Sequence, residues 1–258
     1  MTTPRKRAIK KPVEAVDAEA AVAAIAGTPV TATAPTVMGE DKTDMFLRQR
    51  GLVNMTRLES MPITVIGAGG IGSGVLLALA QMGARNITVY DDDVLETHNI
   101  SNQVYPMTFV GKNKVEAASD FIQLMYGFKI KTAHKKYDGL DDAKMVISGV
   151  DSMAARAQIW ELIKVHKECV FYMDARMGGL NFEVYNVTMI NPNTDAYERS
   201  LVSDDVALDL PCTARSIGFN VLMIGGYVAS LVRNFLARQS MPHHVKFDLA
   251  TNTFEKLA

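Results

Sequence analysis

Residues Ile63-Thr64-Val65-Ile66 form a short apolar run that breaks into Gly67-Ala68-Gly69-Gly70-Ile71-Gly72-Ser73 and continues as a helix-forming segment. Few folds accommodate a strand that turns through glycines directly into a helix. The free N–H groups of the first helical turn and the positive end of its dipole converge on one point, which favours a bound phosphate. Glycine lets the backbone turn tightly there and lets a nucleotide approach where a Cβ would clash. Alone, this junction specifies a nucleotide and not a reaction.

The rest of the chain reads as an alternation of strands and helices around that junction. A helical lead-in is expected over Met45–Arg57 and a helix over Ile71–Met82, ended by Gly83 as a left-handed cap. Strands follow at Asn86–Tyr90, Lys129–Ala133, Ala143–Ser148, Val170–Asp174 and Phe182–Met189. Helices are expected at Lys114–Tyr126, Met153–Val165 and Ile217–Arg238, with residues 191–211 a long polar loop. This order implies an α/β fold with a doubly wound, mostly parallel sheet. Residues 1–43 open with Arg5, Lys6, Arg7, Lys10 and Lys11 and continue as an Ala/Val/Thr/Pro stretch without aromatics. Such a segment buries too little apolar surface to offset its ordering entropy and reads as a disordered, flexible tail before one domain at 44–258.

Composition excludes several classes. With 258 residues, 48% of them hydrophobic, the chain holds a sizeable core. A formal net charge of −1 lacks the basic excess of a nucleic-acid binder. Two cysteines, Cys169 and Cys212, are too few for a disulfide framework or a four-cysteine zinc site. No apolar run approaches the roughly 20 residues of a membrane span, and no secretory leader pattern opens the sequence. The expected setting is the cytoplasm, without membrane or nucleic-acid partners.

About twenty residues past the glycines, Asp91 stands where a dinucleotide fold places its ribose acid. Its surroundings, Asp91-Asp92-Asp93-Val94-Leu95-Glu96-Thr97-His98-Asn99-Ile100-Ser101-Asn102-Gln103, fit a nicotinamide site poorly. Solvated turn residues account for the acids but not for the whole string. Together with Gly111-Lys112-Asn113-Lys114, Asp151 and Arg156, this order of motifs resembles the ThiF/MoeB/HesA family, prokaryotic relatives of ubiquitin-activating enzymes. The resemblance runs over residues 60–240 and implies a Rossmann-like, ThiF-type fold.

The resemblance implies an ATP-dependent adenylyltransferase that activates the C-terminal carboxylate of a small ubiquitin-like or sulfur-carrier protein. By that pattern Gly67, Gly69, Gly70 and Gly72 take phosphate contacts, and Asp91 holds the ribose hydroxyls with Asp93, Asn99, Asn102 and Gln103 nearby. Lys114 balances phosphate charge, with Lys112 the alternative if the turn is offset. Val150 lines the nucleotide pocket, and Asp151 holds Mg²⁺, an ion that prefers oxygen ligands. Arg48 or Arg50 is the candidate arginine reaching across a homodimer. Cys212, in Leu210-Pro211-Cys212-Thr213, stands where several members carry a transfer thiol.

Each assignment competes with a plainer one. Lys114 also suits a solvated helix start, Asp151 a helix N-cap, and Arg48 or Arg50 a solvated helix position. Cys212 also suits a small buried hydrophobe, the reading given to Cys169. Asp174 and Arg176, before Gly178 and Gly179, read as a shaped turn that receives the substrate tail or as a structural pair. His243 and His244 read as a surface pair. The Gly225/Gly226 helix is a candidate dimer-packing element. Asn102 replaces an arginine of the family pattern, which removes a fixed cation from the phosphates. That departure keeps a second reading open, a non-catalytic scaffold that binds nucleotide or a partner.

Overall fold

The computed structural model describes residues 15–16, 44–190, 194–203 and 217–257. Its eight-stranded sheet runs in the order β10 (Thr253–Leu257), β9 (His244–Asp248), β7 (Asn181–Thr188), β6 (Phe171–Gly178), β5 (Met145–Ser148), β2 (Ile63–Ile66), β3 (Ile87–Tyr90) and β4 (Lys131–Ala133). Pairings from β6 through β4 are parallel, and those from β6 to β10 are antiparallel. The chain leaves β2 toward β3 and β4, then returns to the other side of β2 for β5. The crevice at such a reversal, beyond the carboxyl ends of the strands, is where ligands bind in open α/β sheets.

Helices α2 (Gly70–Met82), α3 (Lys114–Tyr126) and α6 (Gly218–Leu236) share one apolar core with β2, β3 and one face of β6 and β7. Helix α4 (Met153–Val165) and the short α5 (Asp195–Arg199) cover the other face around Trp160, Tyr172 and Tyr197. Helix α2 is apolar on nearly every side because the sheet and α6 enclose it. Its contact with α6 is close: a Cβ on Gly225 would lie 2.5 Å from the Gly74 backbone. Gly225 therefore packs within the chain, whereas Gly226 faces open space. Among the described residues, α6 alone has the length and composition to cross a membrane, but 56% of its apolar window is buried in this core.

The helices at Lys114–Tyr126 and Met153–Val165 have the expected limits, and Gly83 ends α2 with φ 106°. Several expectations need correction. The lead-in is not one helix: a 3₁₀ turn at Leu47–Gln49 breaks at Gly51, with φ 86°, before α1 (Met55–Ser60). Asn54 caps α1 by accepting the Arg57 N–H, which fixes its start locally. Residues 174–178 are not a turn but the continuation of β6. Asp174 and Arg176 alternate with Ala175 and Met177, and Arg176 lies opposite Glu183 of β7. The loop region contains α5. Strands β9 and β10 had no counterpart in the sequence reading. His244 is not a surface histidine: it stacks on Tyr185 at 3.8 Å and bonds Glu183 at 2.8 Å. In the 1–43 segment, Ala15–Val16 (β1) pairs antiparallel with Met241–Pro242 (β8). The rest of that segment lies outside the described residues.

Candidate active site

The glycine loop is held from three sides. Gly67, with φ 90°, donates its N–H to the Tyr90 carbonyl at 2.8 Å. The Ala68 N–H donates to Asp91 Oδ2 at 2.7 Å, and the Ala68 carbonyl accepts from the Tyr105 hydroxyl at 2.9 Å. A Cβ at Gly72 would lie 1.8 Å from the Gly67 oxygen, so glycine is required there. At Gly69 a Cβ meets no protein atom within 4 Å, which leaves that side open to a ligand. The N–H groups of the first turn of α2 have no intrahelical acceptor. This glycine cradle, whose shape is set by its neighbours, could hold a phosphate.

Asp91, at the carboxyl end of β3, also accepts the Asp93 N–H on Oδ1 at 2.8 Å. Burial raises its carboxyl above the ordinary value, opposed by the two backbone donors and by Lys114. Asp93 in turn holds the Lys114 ammonium at 2.6 Å, and the Lys114 N–H donates to the Asp93 carbonyl at 3.0 Å. Lys114 is buried, and its charge is held by the more exposed Asp93. Lys112 is engaged elsewhere, pairing with Asp120 at 2.6 Å and lying over the Phe109 ring at 4.5 Å. The offset alternative therefore fails.

Asn99 spends its amide oxygen on the Glu96 N–H at 3.0 Å, capping the 3₁₀ segment Thr97–Asn102. The segment after it is tied to the glycine loop twice, by Tyr105 and by the Val104 N–H on Ser73 Oγ at 3.3 Å. Asn102 and Gln103 are thereby held beside the loop.

On the other side of β2, Gly149 and Val150 follow β5. A Cβ on Gly149 would clash with Ile71 at 2.8 Å, and one on Gly67 would lie 3.6 Å from the Val150 side chain. Gly149 and Val150 are thus packed against the cradle, with Asp151 the next residue. Asp151 is exposed, and no side chain among the described residues pairs with it. It is not the helix cap: Ser152 caps α4 by accepting the Ala155 N–H at 3.1 Å. Arg156 holds this turn from below, donating to the Val150 carbonyl, to Asp174 and to the Ala175 carbonyl.

A magnesium ion with substrate phosphates needs only one or two protein carboxylates. The oxygens of Asp91, Asp92 and Asp93 lie within 4.8 Å of one another, but Asp91 holds the loop and Asp93 holds Lys114. Among the described residues at this site Asp92 and Asp151 keep unspent carboxylates, Asp92 bonding only through its carbonyl, and a carboxylate such as that of Asp151, next to Val150, fits the ion.

Arg48 and Arg50 are not brought to this site within the chain. Phe46 packs at Gly83, and the Gln49 amide donates to the Gln81 carbonyl at 3.0 Å. The segment thus sits at the far end of the 13-residue α2, roughly 20 Å from the cradle at 1.5 Å per residue. Arg50 pairs with Asp44 at 2.6 Å. Cys212 lies outside the described residues. Cys169 is buried as expected, and burial pushes its thiol up to about 12. Sequence reasoning missed Tyr105; the one available signal was a phenol closing an otherwise polar string.

A glycine cradle at a sheet reversal, flanked by an acid, a buried lysine and an exposed carboxylate, defines an α/β fold of the Rossmann-like class with a site shaped to suit a nucleotide. The chain belongs to the ThiF family, whose profile matches residues 42–258. It is 38% identical over 104 residues to the NEDD8-activating enzyme E1 catalytic subunit of Dictyostelium discoideum, covering 38% of this chain and 24% of that one. It is 29% identical over 108 residues to the adenylyltransferase and sulfurtransferase uba4 of Aspergillus niger, covering 42% and 22%. The matches therefore span about a quarter of these relatives' lengths. The crystal structure of PaaA superposes with a TM-score of 0.67 at 19% identity, over 92% of this chain and 80% of that one. Escherichia coli MccB, solved with AMPCPP and MccA, gives 0.66 at 16%, over 85% and 73%. At these identities the structures share the fold.

Proposed function

We propose that this chain is an ATP-dependent adenylyltransferase that activates the C-terminal carboxylate of a small ubiquitin-like or sulfur-carrier protein. One observation carries the reading: the bonded series Lys114–Asp93–Asp91–Ala68 ties a buried cation to the glycine cradle. A simple dinucleotide site has no use for that cation. The names of the E1 and uba4 relatives and the AMPCPP-bound MccB structure support the same class.

In this reaction a carboxylate oxygen of the carrier attacks the α-phosphorus of ATP. A new O–P bond forms, the bond to the bridging oxygen of the β-phosphate breaks, and pyrophosphate leaves. The α2 N–H groups and Lys114 neutralise phosphate charge where it develops. Asp91 orients the ribose hydroxyls, Asn99, Asn102 and Gln103 offer neutral hydrogen bonds, and Val150 closes the pocket wall. Asp151 would hold a Mg²⁺ ion, which when bound would supply further neutralisation of phosphate charge. A homodimer brings Arg48 or Arg50 to the partner's site, and the Cys212 thiolate attacks the acyl-adenylate carbonyl, forming a thioester as the acyl–oxygen bond breaks and AMP leaves. The unit is residues 44–258, preceded by the tail at 1–43, and its setting is the cytoplasm.

A second reading, a nucleotide- or partner-binding scaffold, is favoured by the neutral Asn102 at a position where the family pattern has a cation. ATP–pyrophosphate exchange with candidate carriers ending in Gly-Gly separates the two. Wild type exchanges, and Asp151→Ala lowers exchange by about 100-fold, the scale of one lost electrostatic stabiliser. Nucleotide binding without exchange across carriers overturns the enzyme reading in favour of the scaffold.

A further inference from the structure

The two halves of the candidate site are the glycine cradle and the Thr97–Gln103 segment. No strand pairing joins them. They are joined by Tyr105 and Ser73: the Tyr105 hydroxyl donates to the Ala68 carbonyl, and Ser73 Oγ accepts the Val104 N–H. Ala68 is fully buried and Tyr105 is 3% exposed, so water does not replace this bond if it is lost. Asp91 holds the preceding peptide, Gly67–Ala68, through the Ala68 N–H. Tyr105 holds the next one, Ala68–Gly69, through its carbonyl, and the Gly69 N–H lies in that same plane, so this bond sets where it points.

We propose that Tyr105 is a positioning residue for nucleotide binding, its hydroxyl locking the Ala68–Gly69 peptide so that the cradle is pre-shaped before phosphate arrives. The inference rests on the nucleotide site proposed above and adds a residue to it. Burial raises the Tyr105 pKa, with Asp91 adding to the effect, so the phenol stays protonated and remains a donor at any working pH. The ring makes a separate contribution, packing edge-on against Phe121 at 6.3 Å. Hydroxyl and ring can thus be tested apart.

Tyr105→Phe removes the hydroxyl and keeps the ring. Phe121→Leu weakens the ring packing and keeps the hydroxyl bond. Mg·ATP titration by calorimetry without carrier, and amide hydrogen exchange over residues 67–73 without nucleotide, are measured on both and on wild type. Tyr105→Phe is expected to raise the ATP Kd by about 10-fold, the scale of one buried hydrogen bond. Exchange at residues 69–72 accelerates as well. Phe121→Leu lowers the melting temperature without either change. Equal ATP affinity in wild type and Tyr105→Phe overturns the positioning role, as does an equal loss in both variants. A wild type that does not bind ATP overturns the nucleotide reading instead. Unchanged exchange in Tyr105→Phe removes the lock itself, whatever the ligand.

Discussion

Replacing Asp174 with asparagine separates charge from shape at a buried carboxylate that bonds three side chains. Asp174 is fully buried, accepting from Arg156 on Oδ1 and from Arg176 on Oδ2 at 2.8 Å, with the Tyr197 hydroxyl at 3.2 Å. Asparagine keeps one acceptor oxygen but turns an N–H toward a guanidinium, where a donor meets a donor. Arg176 keeps a carboxylate neighbour, Glu183 at 3.6 Å, whereas Arg156 has none among the described residues. The variant therefore strands about one buried cation. Breaking a buried pair from one side costs about 3–5 kcal/mol, and the retained Glu183 places this case near the lower end. At ~2–4 °C per kcal/mol for a domain of this size, Asp174→Asn melts roughly 6–16 °C below wild type. Salt leaves the loss nearly unchanged because the group is shielded from solvent. Calorimetric melting at two ionic strengths measures it, with the half-exposed Asp120→Asn as a surface control costing less than about 1 kcal/mol. Adding Arg156→Met to Asp174→Asn recovers part of the loss, since it removes the stranded charge. A drop no larger than that of Asp120→Asn, or strictly additive losses in the double variant, refutes the argument.

The α2–α6 crossing gives a contrast between adjacent glycines: Gly225→Ala pushes a methyl into the Gly74 backbone at 2.5 Å, and Gly226→Ala meets nothing within 4 Å. Urea unfolding should show the first losing about 1–3 kcal/mol and the second gaining about 1 kcal/mol of helix propensity; equal effects contradict the packing described. Glu183 gives a pH signature. Burial raises its carboxyl, but the His244 bond and Arg176 outweigh that and leave it below its ordinary 4.5. A depressed folded pKa contributes stability fully present above the unfolded value and lost as pH falls through the folded one. The melting-temperature gap between wild type and Glu183→Gln is therefore constant above pH 4.5 and closes below it. A gap that widens on acidification reverses the sign and rejects the pairing.

What the sequence made legible is what local chemistry controls. Helix α3 has an apolar stripe and a glycine terminator at Gly127, and α4 has Ser152 as its cap, so both ends are written in neighbouring residues. The glycine junction was equally local. Elements specified by distant partners were not legible. Asp174 and Arg176 read as a strand end running into a turn because Gly178 and Gly179 follow; the partners that keep their charges inside β6 are distant, Arg156 from α4 and Glu183 from β7. His244 lacked a visible partner because its ring stacks on Tyr185, 59 positions earlier in the chain but directly opposite across β7–β9. In the site, the resemblance supplied residue types and an order, whereas the bonds that shape the cradle, from Asp91 and Tyr105 to the two sides of Ala68, are tertiary.

Those bonds bear on how Asp91 serves two tasks. An ionised carboxylate has about four acceptor positions, and backbone N–H groups of Ala68 and Asp93 use one on each oxygen. Two remain, the number a ribose diol needs. Burial alone favours the neutral acid, and the backbone donors and Lys114 pull the other way. On the proposed reading, two further hydroxyl donors from the ribose favour the ionised form, so nucleotide binding and ionisation of Asp91 reinforce each other. The ionised form is also the one that holds Ala68 most tightly, since a charged acceptor strengthens the hydrogen bond. Ribose recognition at Asp91 and phosphate recognition at the cradle are then coupled through the two peptides that flank the Ala68 Cα. Tyr105 holds the second of them as Asp91 holds the first, so the coupling has something rigid to act on.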